Sequence, residues 1–456
     1  MRTAERGGLT LPTAGQVSGR VPGPSIAAGA ASAASAGSDE RYRLVIEAVL
    51  IGGVVAAAVM LGSRPVWAWA LDGIIGAVLV GLWLLRASAK GTLTLRRTRL
   101  DFPVIALLGL AVLSTVTSVY RYASEVETVR LTSYVLLYYV IVNNLDGRAA
   151  VRRILRTVVI LGAVLSVYGL YEVMSGSEQV LWMPKPIAAG VARGVVTGTF
   201  GDGAAFGGLL TLIVPLSVSA ALDGLSRRRW TEAGLYGLCA ALTAAGLVGT
   251  LNRSSWLGTA VALALMAVVG LRPPRVLTEY KLGLAAGALA CALIFAGTVS
   301  QPVINRFRAA FETGNSSIAV RYQYLLSSLH MMRDRPLLGF GPGTFEYAWR
   351  AYRLPRRASV FADAVYAHNE YAQLGAEMGV LAPLCVLWLI AAHLRAGFAS
   401  GRGGTADWTA AGLTASPAGL AAANLTYFHW HVASTAILFW AILGLAHVWR
   451  VREAAR

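Results

Sequence analysis

Arginines and one histidine stand where apolar stretches of the chain meet polar ones. Arg193 precedes a glycine-rich turn, Arg253 lies in a tight turn between two apolar runs, and Arg321 begins an amphipathic stretch. His368 lies where a long polar loop returns to an apolar run. A guanidinium binds phosphate oxygens in a bidentate geometry, and a histidine can accept a proton near neutral pH. These residue types are compatible with anion binding and proton transfer.

Each of these residues also has a purely structural interpretation. Arg253 is equally typical of an arginine that reaches lipid headgroups or bonds a helix C-terminus. The glycine-rich turn after Arg193 exposes backbone N–H groups that favour an anion, and it equally fits a flexible loop that enters a membrane. A histidine placed like His368 is more commonly packed at the interface. The residues alone leave these alternatives open.

Two further motifs give weaker evidence of a functional site. A glycine-rich run at 336–343 follows a stretch of helical periodicity at 320–332, which Pro336 ends. The run lacks the Lys-Ser/Thr ending of a nucleotide P-loop, and no strand precedes it, so a turn is predicted. His429 and His431 form a His-x-His pair with no third ligand at a convincing spacing, and an aromatic-belt role is predicted for them. No metal site is predicted.

The composition excludes a soluble globular protein. Of 456 residues, 56% are hydrophobic and 14% are charged, and mean hydropathy is +0.58. Soluble proteins carry about 25% charged residues. The net charge of +17 comes from short basic clusters between apolar runs, which is typical of a polytopic membrane protein and does not indicate nucleic-acid binding.

Apolar runs of about 20 residues can cross a bilayer as helices, and twelve such runs are present. They lie near 44–62, 66–85, 102–120, 129–145, 154–173, 204–222, 233–250, 254–271, 281–299, 370–392, 407–428 and 430–449. Basic clusters occupy alternate connections, which predicts that these connections and both termini are cytoplasmic. The predicted fold is an all-α polytopic membrane protein with about 12 transmembrane helices.

The predicted spans divide the chain into successive segments. Residues 1–40 are rich in Ala, Gly, Ser and Pro without an apolar run, and they are predicted to form a disordered cytoplasmic tail. The remaining segments are 41–299 with nine spans and an external loop at 174–203, a long external helical loop at 300–369, the last three spans at 370–450, and a cytoplasmic tail at 451–456. The long loop contains nine arginines and no lysine.

Three stretches within about 190–395 resemble the bacterial O-antigen ligase and O-antigen polymerase superfamily. They are the run from Arg321 to Asp334 with Pro336-Leu337-Leu338-Gly339-Phe340-Gly341-Pro342-Gly343, His368-Asn369-Glu370-Tyr371 and Glu377-Met378-Gly379; the turn Asn252-Arg253-Ser254; and Arg193 with Gly198-Thr199-Phe200-Gly201. Two departures stand out. Asn252 replaces the usual serine, and Asp202-Gly203 stands where the family favours Asn-Pro.

The resemblance implies a glycosyltransferase of the GT-C type in the bacterial cytoplasmic (inner) membrane, with its active site facing the periplasm. Such enzymes use a glycan carried on polyprenyl (undecaprenyl) diphosphate and need neither metal nor cofactor. The acceptor would be a lipid A core for a ligase or a growing glycan for a polymerase, and some relatives glycosylate proteins. A transporter or flippase of a lipid-linked glycan is the alternative, although no internal repeat supports it.

The resemblance also implies roles for particular residues. Arg193, Arg253 and Arg321 would bind the diphosphate, and Arg253 and His368 would act in catalysis, with His368 taking the proton of the acceptor hydroxyl. The supporting residues would be Asp202, Asp334, Gly339, Gly341, Asn369 and Glu370. The carboxylates among them would hold the arginines in place. A single displacement with inversion would require no enzyme nucleophile.

Overall fold

The computed structural model describes residues 26–60, 62, 66–184, 194–270, 316–353, 364–400 and 406–451. These residues are almost entirely helical. The only strands among them form a hairpin of Gln179–Val180 and Met183–Pro184. The predicted all-α fold is therefore confirmed.

The described residues form fourteen α-helices. They are α1 Ile26–Val59, α2 Val66–Lys90, α3 Asp101–Val116, α4 Arg121–Asn144, α5 Gly147–Ser175, α6 Gly203–Ser226, α7 Trp230–Gly249, α8 Arg253–Gly270, α9 Ser316–Asp334, α10 Phe345–Ala348, α11 Glu370–Met378, α12 Leu381–Ser400, α13 Trp408–Ala423 and α14 Ala433–Val451. Short 3-10 turns occupy Gly198–Phe200, Trp349–Tyr352 and His429–His431.

Eight helices of the described part are long and apolar enough to cross a membrane: α1 from Gly37, α2, α5, α6, α7, α8, α12 and α14. Helix α3 is apolar but has only 16 residues. The predicted spans near 129–145 and 407–428 coincide with α4 and α13, which are helical but outside that group. The predicted span at 281–299 lies outside the described residues. A polytopic membrane protein is confirmed, while the number twelve stays a prediction.

Two boundaries differ from the prediction. Helix α1 begins at Ile26, inside the 1–40 segment that was expected to be disordered. The expected span at 370–392 consists of α11 and α12, which separate at Gly379 with a φ of +82°. A Cβ at Gly379 would lie 2.2 Å from the Leu337 carbonyl oxygen, so the break fits closely against the glycine-rich turn.

Small residues let the central helices pack backbone against backbone. A Cβ added to Gly258 of α8 would lie 2.5 Å from the carbonyl oxygen of Gly419 in α13. Helix α13 is buried along nearly its whole length, between α6, α8 and α14. Such contacts are typical of helices in lipid, where close approach replaces the hydrophobic effect as the source of association.

Paired basic residues gather at one end of the helix bundle. Arg86 at the end of α2 bonds Asp39 of α1, with 2.6 Å between Nε and Oδ1. The Arg148 guanidinium at the start of α5 lies 4.7 Å from the ring centroid of Trp449. The Trp449 indole N–H donates to Asp407 over 2.8 Å. These arginines belong to the connections predicted to be cytoplasmic.

The loops that contain the motifs of the family resemblance lie at the opposite end of the helix bundle. The Thr199 hydroxyl donates to the Ala58 carbonyl at the end of α1 over 2.6 Å. The Val119 N–H, between α3 and α4, donates to the Phe340 carbonyl over 3.0 Å. This second end therefore holds both the 194–203 loop and the glycine-rich turn together.

Candidate functional site

Helices α6, α8 and α11 begin at this second end of the bundle. Each is preceded by an Asx residue whose side-chain oxygen accepts a hydrogen bond from a backbone N–H of the first turn. The residues are Asp202, Asn252 and Asn369, and the distances are 2.7, 3.0 and 3.0 Å. Side-chain acceptors at this position fix where a helix starts. The sequence thus sets the positions of these N-termini locally.

The N-termini of α6 and α8 lie side by side. The Val196 N–H donates to the Gly249 carbonyl over 2.9 Å. A Cβ at Gly203 would lie 2.8 Å from the Thr250 carbonyl oxygen, so only glycine allows this approach. The glycine-rich stretch after position 193 is therefore packed against the turn that leads into Arg253.

A loop between α13 and α14 connects α8 to α11. The Thr426 hydroxyl donates to the Ser254 hydroxyl over 2.8 Å. One residue earlier, the Leu425 carbonyl accepts from the Asn369 side-chain amide over 2.9 Å. Segments far apart in sequence thereby meet around the start of α11.

His368 lies immediately before this helix in a strained conformation, with a φ of +53°. Its ring stacks on Tyr324 of α9 with 5.9 Å between centroids, and it meets Phe428 edge-on at 5.0 Å. Among the described residues, no hydrogen-bond partner is present for its buried Nδ1 atom. A non-glycine residue in this region costs about 1–3 kcal/mol and needs surrounding structure to hold it.

One charge from α9 and one from the residue before α6 act on the His368 ring. Burial lowers its pKa to about 4, the positive charge of Arg321 acts in the same direction, and Asp202 opposes both. The imidazole is therefore neutral at neutral pH. Arg321 and Asp202 therefore both lie within electrostatic reach of His368, while their roles in a shared site stay a prediction.

Of the other two arginines predicted to bind the diphosphate, the structure describes one. Arg253 is the first residue of α8 and is half-buried beside the N-terminus of α6. The turn before it contains Leu251 in a left-handed conformation, with a φ of +52°. Arg193 lies outside the described residues, so its place in the site stays a prediction.

Two predicted supporting carboxylates have partners other than arginine. Asp334 accepts a hydrogen bond of 2.6 Å from the Tyr352 hydroxyl, which ties the end of α9 to the following turn. Glu370, fully buried, contacts Nδ1 of His431 at 3.0 Å. The expectation that these two residues hold arginines in place stays a prediction. Sequence spacing does not show which of several polar residues face each other.

The glycine-rich turn at 336–343 wraps the end of α11. Gly339 and Gly341 have φ values of +62° and +114°. The Gly341 N–H donates to the Glu377 backbone carbonyl over 2.8 Å. The Gly343 and Phe345 N–H groups donate to the Glu377 carboxylate over 2.9 and 3.1 Å. The turn prediction holds, and Gly339 and Gly341 support the site by shaping this segment.

A buried group of charged residues next to the start of α11 was not predicted from the sequence. Glu127 and Arg130 of α4 form an ion pair, and the Glu127 carboxylate lies 3.9 Å from Nε2 of His431. Residues Glu127, Glu370, Glu377 and His431 line a cavity of about 80 Å³.

The assignment of His429 and His431 to an aromatic belt was wrong. His429 is fully buried, and the side chain of His431 is 6% exposed. A sequence pattern that could have predicted a buried polar surface is the spacing of Glu370 and Glu377, which lie seven residues apart on one helix face.

The comparisons with known proteins concern the segment that carries most of the site. Residues 238–387 match a family model described as O-Antigen ligase. No curated protein matches the chain. The matched segment includes Arg253, Arg321 and His368, together with the glycine-rich turn. Among the described residues, no group of three or more His, Cys, Asp or Glu side chains is placed to hold a metal ion. Over the matched residues, this finding supports the resemblance to the O-antigen ligase and polymerase superfamily.

Proposed function

We propose that the protein transfers a glycan from a polyprenyl diphosphate to an acceptor hydroxyl at the end of the bundle where α6, α8 and α11 begin. One observation carries the proposal. The neutral imidazole of His368 lies in the field of Arg321 and Asp202, and the loop contacts described above bring the Arg253 turn to the same end. The site therefore combines a proton acceptor with cationic groups.

The donor diphosphate fits the electrostatics of this end. Arg253 and Arg321 would bind its oxygens, and guanidinium groups do so in a bidentate geometry that lysine cannot reproduce. The N-termini of α6, α8 and α11 add positive potential at the same place. Arg193 would supply a further guanidinium. Such groups stabilise charge that develops on the leaving diphosphate.

The proton of the acceptor would go to His368. The acceptor oxygen attacks the anomeric carbon, the bond from that carbon to the diphosphate oxygen breaks, and the electron pair leaves with the diphosphate. His368 receives the hydroxyl proton as the new glycosidic bond forms. A bound diphosphate offsets the positive field of Arg321, which raises the pKa of His368 and strengthens it as a base.

We propose that this end faces the periplasm and that both termini are cytoplasmic. The paired arginines at the other end, such as Arg86 and Arg148, favour the cytoplasmic side by the positive-inside rule. A lipid-linked donor presented at the outer face of the inner membrane would then reach the site laterally. Either a lipid A core or a growing glycan would serve as the acceptor.

A reconstituted transfer assay tests this function. Purified protein in liposomes receives polyprenyl-diphosphate glycan in the presence of a chelator, with and without lipid A core. Product that requires the core indicates a ligase, and a glycan ladder without the core indicates a polymerase. Glycolipid that crosses the bilayer without any transfer would contradict the proposal and favour a flippase.

Variants link the assay to the site. Arg253→Ala, Arg321→Ala and His368→Ala should each lower the transfer rate by about 10²-fold or more, the size of effect typical of removing a group that stabilises the transition state. Arg121→Ala is the matched control. This arginine begins α4 at the same end, pairs with Glu125 over 2.9 Å and has a 70% exposed side chain. Equal losses in the control and the site variants would show a general effect of removing positive charge.

A further inference from the structure

A buried charge cluster adjoins His368 and has no part in the proposed reaction. It consists of Glu127, Arg130, Glu370, Glu377 and His431. Carboxylates outnumber the two basic groups, and every member lies within the protein interior or is largely buried there. Burying so much charge is costly unless each group is paired. The partners of each group therefore indicate what the cluster does.

Other members of the cluster have partners besides His431. Arg130 pairs with Glu127, and its guanidinium lies 4.7 Å from the ring centroid of Trp69, although its Nε and Nη1 atoms have no hydrogen-bond partner among the described residues. Glu377 accepts hydrogen bonds from backbone N–H groups of the glycine-rich turn and from the Gln373 amide, at 2.9–3.1 Å. The carboxylate of Glu370 contacts His431 instead. Its Oε1 contacts Nδ1 of His431 at 3.0 Å, and its buried Oε2 has no hydrogen-bond partner among the described residues.

The Glu370–His431 contact joins the segments that enclose His368. Glu370 is two residues after His368, and its N–H donates to the Asn424 carbonyl over 3.0 Å. His431 follows directly on the loop that presents Phe428 to the His368 ring. The charged pair therefore fastens the start of α11 to the aromatic loop, on either side of the strained residue.

We propose that His431 and Glu370 are positioning residues whose ion pair holds His368 in its strained conformation against Tyr324 and Phe428. The proposal rests on the function of His368 as the proton acceptor. It adds a requirement to that function, which is that transfer needs a protonated His431 although His431 does not touch the substrate.

The groups around His431 keep it protonated at neutral pH. Burial alone would lower its pKa, but Glu370, together with Glu127 and Glu377, raises the pKa of His431 to about 9. Arg130 and Tyr134 of α4 also face this region, as does the Tyr366 ring, whose centroid is 5.0 Å from that of His431. His431 is therefore charged at neutral pH, and the ion pair is lost as the pH rises above about 9.

The pH profile of kcat in the liposome assay tests the proposal. Glu370→Gln keeps the size and hydrogen-bonding capacity of the side chain but removes its charge, so the alkaline limb should move to lower pH. At pH 8.5 the activity relative to wild type should fall about tenfold or more, because a histidine without this carboxylate returns towards its ordinary pKa. At pH 6 the variant should stay near wild type, with little change in KM for the donor, because protonated His431 still donates a hydrogen bond from Nδ1 to the amide oxygen of the new side chain.

His431→Gln should lower kcat at every pH and remove the alkaline limb. His330→Gln is the matched control, because His330 is an exposed histidine on α9, and its profile should equal that of wild type. Should Glu370→Gln fail to fold, Glu127→Gln removes the carboxylate 3.9 Å from Nε2 of His431 and should move the limb in the same direction by less.

An unshifted limb in Glu370→Gln, or an equal loss at all pH values, would overturn the positioning role. The two proposals fail separately. If His368→Ala retains full transfer, the proposed proton acceptor is wrong. If His368→Ala is inactive while Glu370→Gln keeps the wild-type profile, only the positioning role is wrong.

Discussion

Replacing Glu377 with alanine should release the glycine-rich turn from the end of α11. The carboxylate accepts hydrogen bonds from Gly343 N–H at 2.9 Å, Phe345 N–H at 3.1 Å and the Gln373 amide at 3.1 Å. A buried donor left without its partner costs about 1–3 kcal/mol. Three such donors give at least about 3 kcal/mol, which corresponds to an increase of about 10²-fold in local opening.

Hydrogen exchange measures this opening directly. In detergent-solubilised protein, peptides that cover 337–347 should exchange about 10²-fold faster in Glu377→Ala than in wild type, while peptides from α13 should not change. Glu377→Gln should give an intermediate rate, because its amide retains one acceptor oxygen. Glu346→Gln, a change of the same charge in the adjacent helix α10, is the control and should leave the exchange rate unaltered.

Unchanged exchange at 337–347 in Glu377→Ala would refute the reasoning. It would mean that other contacts hold the turn. The strongest of these are the backbone hydrogen bonds from Phe340 and Gly341 to the end of α11, at 3.1 and 2.8 Å. Faster exchange throughout the protein would instead indicate a global loss of stability, in which case the carboxylate contributes to the whole fold and not to this turn alone.

Two further predictions concern the same end of the bundle. Gly341→Ala should lower the midpoint of thermal unfolding, because φ is +114° and a Cβ would lie 2.2 Å from the Ser118 hydroxyl oxygen; Gly234→Ala, with open space around its Cβ, should not lower it. The acid limb of kcat/KM, which reports the free enzyme, should lie near pH 4, where burial and Arg321 place the pKa of His368. An acid limb near pH 6.5 that does not move upward in Arg321→Ala would contradict that assignment.

The sequence predicted the helical framework because apolar runs of bilayer length leave few alternatives. It also predicted that Arg321, Asp202 and His368 would share a site, since residues from separate loops were matched to one family. The separation of α11 from α12 was missed. Hydropathy is averaged over a window of residues, so a single glycine such as Gly379 does not show as a break. The positive φ of Gly379 and its close contact with the Leu337 carbonyl are visible only in the structure.

The buried charge cluster was missed for a different physical reason. Charged residues such as Glu127 and Arg130 lie three apart on α4, which is also a common surface pattern. Only the fold shows that this face of α4 meets the His431 turn. Pairing between distant segments is a property of tertiary structure, and a single sequence contains no direct record of it.

The two glycine-rich segments lie at opposite ends of their helices. The segment at 198–203 leads into the start of α6, where the helix dipole favours an anion and the first N–H groups are bound to the carboxylate of Asp202. The segment at 336–343 wraps the end of α11, and its neighbouring N–H groups are already bound to the carboxylate of Glu377. A donor diphosphate would therefore have to use the first segment with Arg253 and Arg321, while the second segment fixes the helix that follows His368.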